Sequence, residues 1–273
     1  MQDFHGILKG MAASAPKNIN EYLAADGIYR CKVCQKPTRI KINLGHGEVE
    51  VPVTCDCDEA QAAARKERER LEEIERRRRI CFSQAAMRSW KFENDDMANE
   101  RLSNAMLRYA ENFSKFLKEG KGLLLYGPVG TGKSFFAGCI ANRLISSGFL
   151  VKMTNFATLV NDLQGMSIGR NQYIEDLNRY DLLIIDDLGA ERNSQYMQEL
   201  ITNIIDSRCR AGLPMIITTN LSGEAFKKPE SICFERIFDR LEGHCHPVLV
   251  NGPSRRKKEL RKSFEDMNAF LGL

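Results

Sequence analysis

The chain has 273 residues, a formal net charge of +4, 43% hydrophobic and 28% charged residues. That length holds one full α/β domain plus a smaller module, and the composition excludes wholesale disorder. No stretch approaches the roughly 18–20 apolar residues of a spanning helix, the opening MQDFHGILKG lacks a signal-peptide pattern, and the expected compartment is the cytoplasm.

Residues 1–25 lack strong periodicity and are expected to form a short helix or a loose arm. Next come Cys31-x-x-Cys34 and Cys55-x-Cys57, four of nine cysteines. In a reducing compartment clustered thiols read as metal ligands rather than disulfides. Between them RIKINLGHGEVEVPV alternates apolar and polar residues around Gly45-His46-Gly47, a hairpin signature. Two knuckles joined by a hairpin make a zinc ribbon, with Cys31, Cys34, Cys55 and Cys57 enclosing a structural Zn²⁺. His46 at the tip is read as a turn residue or as a substitute ligand. The scattered Cys81, Cys139, Cys209, Cys233 and Cys245 read as small buried side chains.

Residues 59–80 lack Gly, Pro and aromatic residues and read as one highly charged helix. Its end, Arg76–Arg79, suits phosphates, an acidic partner or the helix dipole alone; Arg255–Lys258 repeats that ambiguity. The joining segment CFSQAAMRSWKFEND leads to a helix near 97–118. From 120 onward strands and helices alternate. Strands are expected at Leu123–Tyr126, Leu150–Thr154, Asp181–Asp186, Pro214–Thr219 and Val248–Val250. Helices are expected at Ser134–Ser146, 156–178 and 193–211. The alternation implies parallel βαβ units with ligands beyond the strands' carboxyl ends. The expected domains are a zinc-binding module at 1–58, a charged helix and linker at 59–96, and an α/β nucleotide-binding domain at 97–273.

Residues 127–134 read Gly-Pro-Val-Gly-Thr-Gly-Lys-Ser, a complete G-x-x-x-x-G-K-S between an apolar strand and a helix. A chance match in a chain of this length has a probability of about 1% from average residue usage. The motif points to ATP held by the segment Gly127, Pro128, Val129, Gly130, Thr131, Gly132, Lys133, Ser134 and Phe135, whose glycines let backbone N–H groups converge on phosphate oxygens. Lys133 would reach the β- and γ-phosphates and the Ser134 hydroxyl would ligate Mg²⁺. The strand Leu182–Ile185 ends in Asp186, placed for the Mg²⁺ shell, and Asp187, placed for the attacking water; a helix cap is the alternative reading of Asp187. Asn220 ends the fourth strand and suits either a phosphate or water contact or an Asx turn. Arg236 and Arg240, four apart, read as a surface ion-pair ladder with Glu235 and Asp239 or as an arginine offered to a neighbouring subunit.

With those motifs in view, residues 80–256 resemble the AAA+ ATPases of the DnaC/DnaI helicase-loader family and its IstB relatives. The likeness rests on GPVGTGKS at 127–134, LLIIDDLG at 182–189, IITTN at 216–220, ERIFDRL at 235–241 and the aromatic lead-in WKFEND at 90–95. The resemblance implies Walker A at Gly127–Ser134, Walker B at Asp186 and Asp187, and sensor 1 at Asn220. It makes Arg240 the arginine finger, with Arg236 beside it, and Arg256 a sensor-2-like arginine. Walker B ends in Asp-Asp rather than Asp-Glu, which implies slow hydrolysis. Few residues follow the fifth strand, so only a minimal lid is expected. The implied function is an ATP-dependent loader that binds a replicative hexameric helicase and single-stranded DNA and self-associates through its ATP site. The alternatives weighed are an IstB-like transposition helper on duplex DNA, a small-molecule P-loop kinase and a zinc-containing DNA-binding regulator.

Overall fold

The strand Gly122–Tyr126 sends Leu123 and Leu125 into one apolar cluster and Leu124 into another, as a strand buried on both faces must. The computed structural model describes residues 20–43, 47–165, 169–189, 195–229 and 232–272. Contacts divide the chain into Met1–Glu73 and Ile74–Leu273.

In the first unit β1 (Glu21–Leu23) pairs antiparallel with β2 (Tyr29–Cys31). The loose arm expected to run to residue 25 is therefore corrected at its end, where ladder bonds to β2 fix a strand; residues 1–19 lie outside the described residues. The expected hairpin is formed by β3 (Arg39–Asn43) and β4 (Glu48–Pro52), with Ile40 opposite Val51 and Ile42 opposite Val49. His46 lies outside the described residues. The charged helix is α1 (Asp56–Cys81), with Asp56, Asp58 and Glu59 in its first turn and Arg78 and Arg79 in its last, matching its dipole. Arg65–Glu69, Arg68–Glu72 and Glu67–Arg70 pair along it; such exposed pairs are screened by solvent and add little stability.

The second unit starts inside α1 because Ile74, Cys81 and Phe82 are buried in its core. Two short 3₁₀ turns, Ala85–Ser89 and Phe92–Asn94, carry the lead-in. The helix expected near 97–118 is two, α2 (Glu100–Glu111) and α3 (Phe113–Glu119), and Asn99 caps α2 by accepting from Leu102 N–H at 3.1 Å. There follow β5 (Gly122–Tyr126), α4 (Lys133–Ser146), β6 (Val151–Asn155), α5 (Phe156–Gln164), α6 (Arg170–Leu177), β7 (Leu182–Leu188), α7 (Gln195–Arg210), β8 (Met215–Thr219), α8 (Gly223–Lys227), α9 (Ile232–His244), β9 (Cys245–Leu249) and α10 (Arg255–Leu271). The long helical stretch expected at 156–178 is thus divided between α5 and α6, and α10 is a helix the sequence reading did not assign.

All five strands of the main sheet are parallel, in the order β6-β7-β8-β5-β9. Leu182, Ile184 and Ile216 face the cluster shared with α2 and α4, whereas Leu183, Ile185 and Ile217 face the cluster shared with α5, α7 and α9. This order puts β8 between β5 and β7. Tyr126 and Leu188 both register against Thr219, so the glycine loop and the acidic strand end finish level on either side of β8.

Candidate nucleotide site and metal centre

β5 runs into the loop at Gly127, whose φ of +139° begins three left-handed glycines, with Gly130 at +83° and Gly132 at +102°. Space as well as conformation requires the first two. A Cβ on Gly127 would lie 2.4 Å from the Val250 carbonyl oxygen, and one on Gly130 would lie 2.2 Å from Ser254 Oγ. The segment after β9 therefore forms the outer wall of the loop, and Arg255 N–H donates to Gly130 O at 2.9 Å.

Lys133 opens α4 and is buried, its Nζ donating to the carbonyls of Gly127 at 2.8 Å and Pro128 at 2.7 Å. Thr131 Oγ1 donates to the same Pro128 carbonyl at 2.9 Å. Desolvation pulls the Lys133 pKa below its ordinary value, against the opposing pull of Asp187 and Asp186. A buried cation held by two neutral carbonyls is poised for an anion, and the amino end of α4 adds partial positive charge at the same place.

The end of β7 is irregular. Ile185 registers with Ile217 but Leu188 registers with Thr219, so β7 carries one extra residue, and Asp187 takes φ of +61°. This is a bulge in a position where bulges re-aim side chains. Thr218 Oγ1 donates to Asp186 Oδ1 at 2.6 Å and accepts from Asp187 N–H at 2.9 Å. Asn220 Nδ2 donates to Asp187 Oδ1 at 2.6 Å. Burial, reinforced by the Asp186 charge, raises the Asp187 pKa.

Lys133, Ser134, Asp186, Asp187, Asn220 and Arg256 line one cavity of about 1000 Å³, a volume that suits a nucleoside triphosphate. Trp90 and Asn94 of the lead-in line it as well. A serine hydroxyl and a carboxylate are the hard oxygen donors that Mg²⁺ prefers, so Ser134 and Asp186 fit that ion. Arg255 lines the cavity too and is tied down there: its Nη2 lies 2.9 Å from both Asp95 Oδ1 and Asp96 Oδ1, and its guanidinium sits over the rings of Phe135 and Phe136. Arg256 is exposed on the cavity wall, close enough that its charge adds to the depression at Lys133 and opposes the rise at Asp187. Arg236 and Arg240 are not among the described residues lining the cavity. Arg240 pairs with Asp206 of α7 at 2.8 Å and with Asp239 at 3.4 Å.

In the first unit the ligand atoms of Cys31, Cys34, Cys55 and Cys57 all lie within 4.8 Å of one another. A tetrahedron with Zn–S bonds of about 2.3 Å has edges of about 3.8 Å, so four thiolates this close fit a zinc ion. The Lys36 backbone N–H draws the Cys34 thiol down to about 7, and hydrogen bonding to Cys34 pushes Cys57 up to about 11. Four thiols in this space cannot all ionise without a cation to offset their repulsion.

Residues 58–263 match the family described as IstB-like ATP binding protein. The chain belongs to that family. An ATP-binding protein of an insertion sequence from Mycobacterium tuberculosis is 28% identical over 199 residues, 69% of this chain and 78% of that protein. The replicative helicase loader DnaC of Escherichia coli K12 is 28% identical over 178 residues, 63% of this chain and 71% of the loader. Among solved structures, a DnaC helicase loader superposes with a TM-score of 0.54 at 21% identity, covering 62% of this chain and all of that one. A DnaI structure gives 0.53 at 23% identity, covering 66% and 99%. The fold is thus that of AAA+ ATPases, and this IstB-like protein is an ATPase of the DnaC/IstB type. No helix among the described residues is long and apolar enough to cross a membrane.

Sequence reasoning about this IstB-like ATPase passed over Thr218 and read Arg255 only as part of a basic stretch. The tract IITTN held the first signal, a pair of hydroxyls at the end of a buried strand. Nothing in the sequence marks Arg255 rather than Arg256 as the arginine held by acids of the lead-in.

Proposed function

We propose that this chain is an ATP-dependent helicase loader of DNA replication, acting in the cytoplasm. It would bind the replicative hexameric helicase and single-stranded DNA, with ATP binding and hydrolysis as its switch. The observation that carries the reading is the convergence of Lys133, Ser134, Asp186, Asp187 and Asn220 on one triphosphate-sized cavity. Lys133 would hold the β- and γ-phosphates while Ser134 and Asp186 hold Mg²⁺. Asp187, oriented by Asn220, would take the proton of the attacking water. Arg256 would read the γ-phosphate from α10, which would serve as the minimal lid. The cavity receives no arginine from α9 of its own chain among the described residues, so Arg240 or Arg236 of a second copy would complete it. Cys31, Cys34, Cys55 and Cys57 would hold a structural Zn²⁺, and the module around them would dock on the helicase.

A second reading is a transposition helper that binds duplex DNA. It is favoured by the insertion-sequence relative, of which the match spans 78% against 71% for the Escherichia coli loader. Co-purification with candidate replicative helicases, with and without ATP, separates the two. Nucleotide-dependent retention of a helicase supports the loader; retention of a transposase with no helicase would replace it with the helper.

A further inference from the structure

We infer that Thr218 is a positioning residue that sets both Walker B carboxylates through one hydroxyl. The inference rests on the nucleotide-site reading given above and adds to it a residue on the strand between the two motifs. β8 separates the glycine loop on β5 from the acids on β7, so a side chain at its carboxyl end is placed to act on β7. Thr218 is fully buried there.

A hydroxyl has one hydrogen to give and lone pairs to receive. The Thr218 hydrogen goes to Asp186 Oδ1 at 2.6 Å, which fixes that carboxylate and leaves its other oxygen for a metal. A lone pair takes the Asp187 N–H at 2.9 Å. That N–H belongs to the extra residue of the bulge, between the Ile185–Ile217 and Leu188–Thr219 registers, and the Thr218 side chain supplies its partner. The same bond holds Asp187 in the left-handed backbone conformation that a non-glycine residue enters only at a cost. Thr218 therefore orients one carboxylate directly and the other through the backbone. Its neighbour Thr219 points its hydroxyl to the Leu188 carbonyl at 2.7 Å and closes the far end of the bulge.

Thr218→Val keeps the shape and removes both bonds; Thr218→Ser keeps the hydroxyl. ATP turnover by T218V is expected to fall about tenfold or more. Its nucleotide affinity in EDTA should stay within about threefold of the parent, and its half-maximal Mg²⁺ concentration should rise, because Asp186 is no longer fixed. T218S should recover turnover and the Mg²⁺ midpoint to within about threefold of the parent. A merely structural threonine would lower the melting temperature without moving the Mg²⁺ midpoint, and that result would overturn the assignment. Equal losses in T218V and T218S would overturn it too. If T218V does not fold, T218C takes its place with the same expectations. Lys133→Ala and Asp186→Asn run alongside. If these two retain full turnover, the nucleotide-site reading itself fails; if they lose it while T218V does not, only the Thr218 inference fails.

Discussion

Asn220 donates its side-chain N–H to Asp187 Oδ1 at 2.6 Å, joining the ends of two neighbouring strands just where the backbone of Asp187 is bulged. The bond leaves one Asp187 oxygen for a water and fixes its direction. Its donor is neutral, so it orients the carboxylate without adding a formal charge to the site. Asn220→Ala frees that carboxylate, and turnover should fall about tenfold or more with ATP affinity little changed. Parallel losses of turnover and affinity would instead make Asn220 a binding residue.

Lys133 presents the opposite case, a charge stored before its ligand arrives. Two carbonyls hold the ammonium group in a desolvated place, and its pKa is depressed for that reason. A triphosphate supplies the missing negative charge, so binding should raise the melting temperature of the parent protein. At a hundredfold excess over Kd the gain is about 2.7 kcal/mol. Lys133→Ala should abolish the shift, read by differential scanning fluorimetry with and without Mg-ATP. A shift of the parent's size in that variant would remove Lys133 from the site.

The cysteine cluster makes a separate claim. Metal analysis of protein purified without chelator should find about one zinc per chain, lost in Cys34→Ser, since three thiolates hold the ion far less tightly than four. Cys34 is the informative position because the Lys36 N–H already favours its thiolate. Full zinc content in that variant would point to another ligand set.

Much of the candidate site was legible in the chain's letters because local chemistry dictates it. Gly127, Gly130 and Gly132 stand where the backbone turns left-handed, and at the first two a Cβ would also strike the wall, so the motif and its geometry are one fact. The strands were legible for a similar reason: Leu182–Ile185 are apolar on both faces because both faces are covered. What escaped depends on partners distant in sequence. Arg255 meets Asp95 across 160 positions, and Thr218 meets Asp186 across 32. The fission of the expected 97–118 helix at Asn112 is likewise invisible in a pattern whose apolar spacing runs through the break. α10 escaped because its start, RRKKELRK, reads as charge before it reads as a helix.

Arg240 lies 53% exposed in its pair with Asp206, so solvent screens the pair and it contributes little stability. Arg240→Ala should melt within about 2 °C of the parent and bind ATP normally. Its turnover should nevertheless be suppressed, and mixing it with Asp187→Asn should restore part of it, because mixed neighbours then combine an intact Walker B with an intact arginine. Absence of restoration across mixing ratios would exclude a finger acting between subunits.

Arg255 and Arg256 are adjacent, yet they should behave in opposite ways. Arg255 Nη2 sits 2.9 Å from Asp95 Oδ1, off the line of a well-formed hydrogen bond, and the Asp95 side chain is wholly buried. Ser103 Oγ donates to the other Asp95 oxygen. Removing the arginine strands a buried carboxylate that keeps only the serine, a loss of about 3 kcal/mol for a pair of this kind. Arg255→Ala should therefore lower stability by roughly that amount and loosen the join between the lead-in and α10. Arg256→Ala alters an exposed side chain on the cavity wall, so it should leave the melting temperature within about 2 °C and reduce nucleotide affinity or turnover. Urea melts and ATP titrations on the two variants decide it. The reverse pattern, a stable R255A with weak ATP binding beside an unstable R256A, would exchange the two roles and make Arg255 the lid arginine.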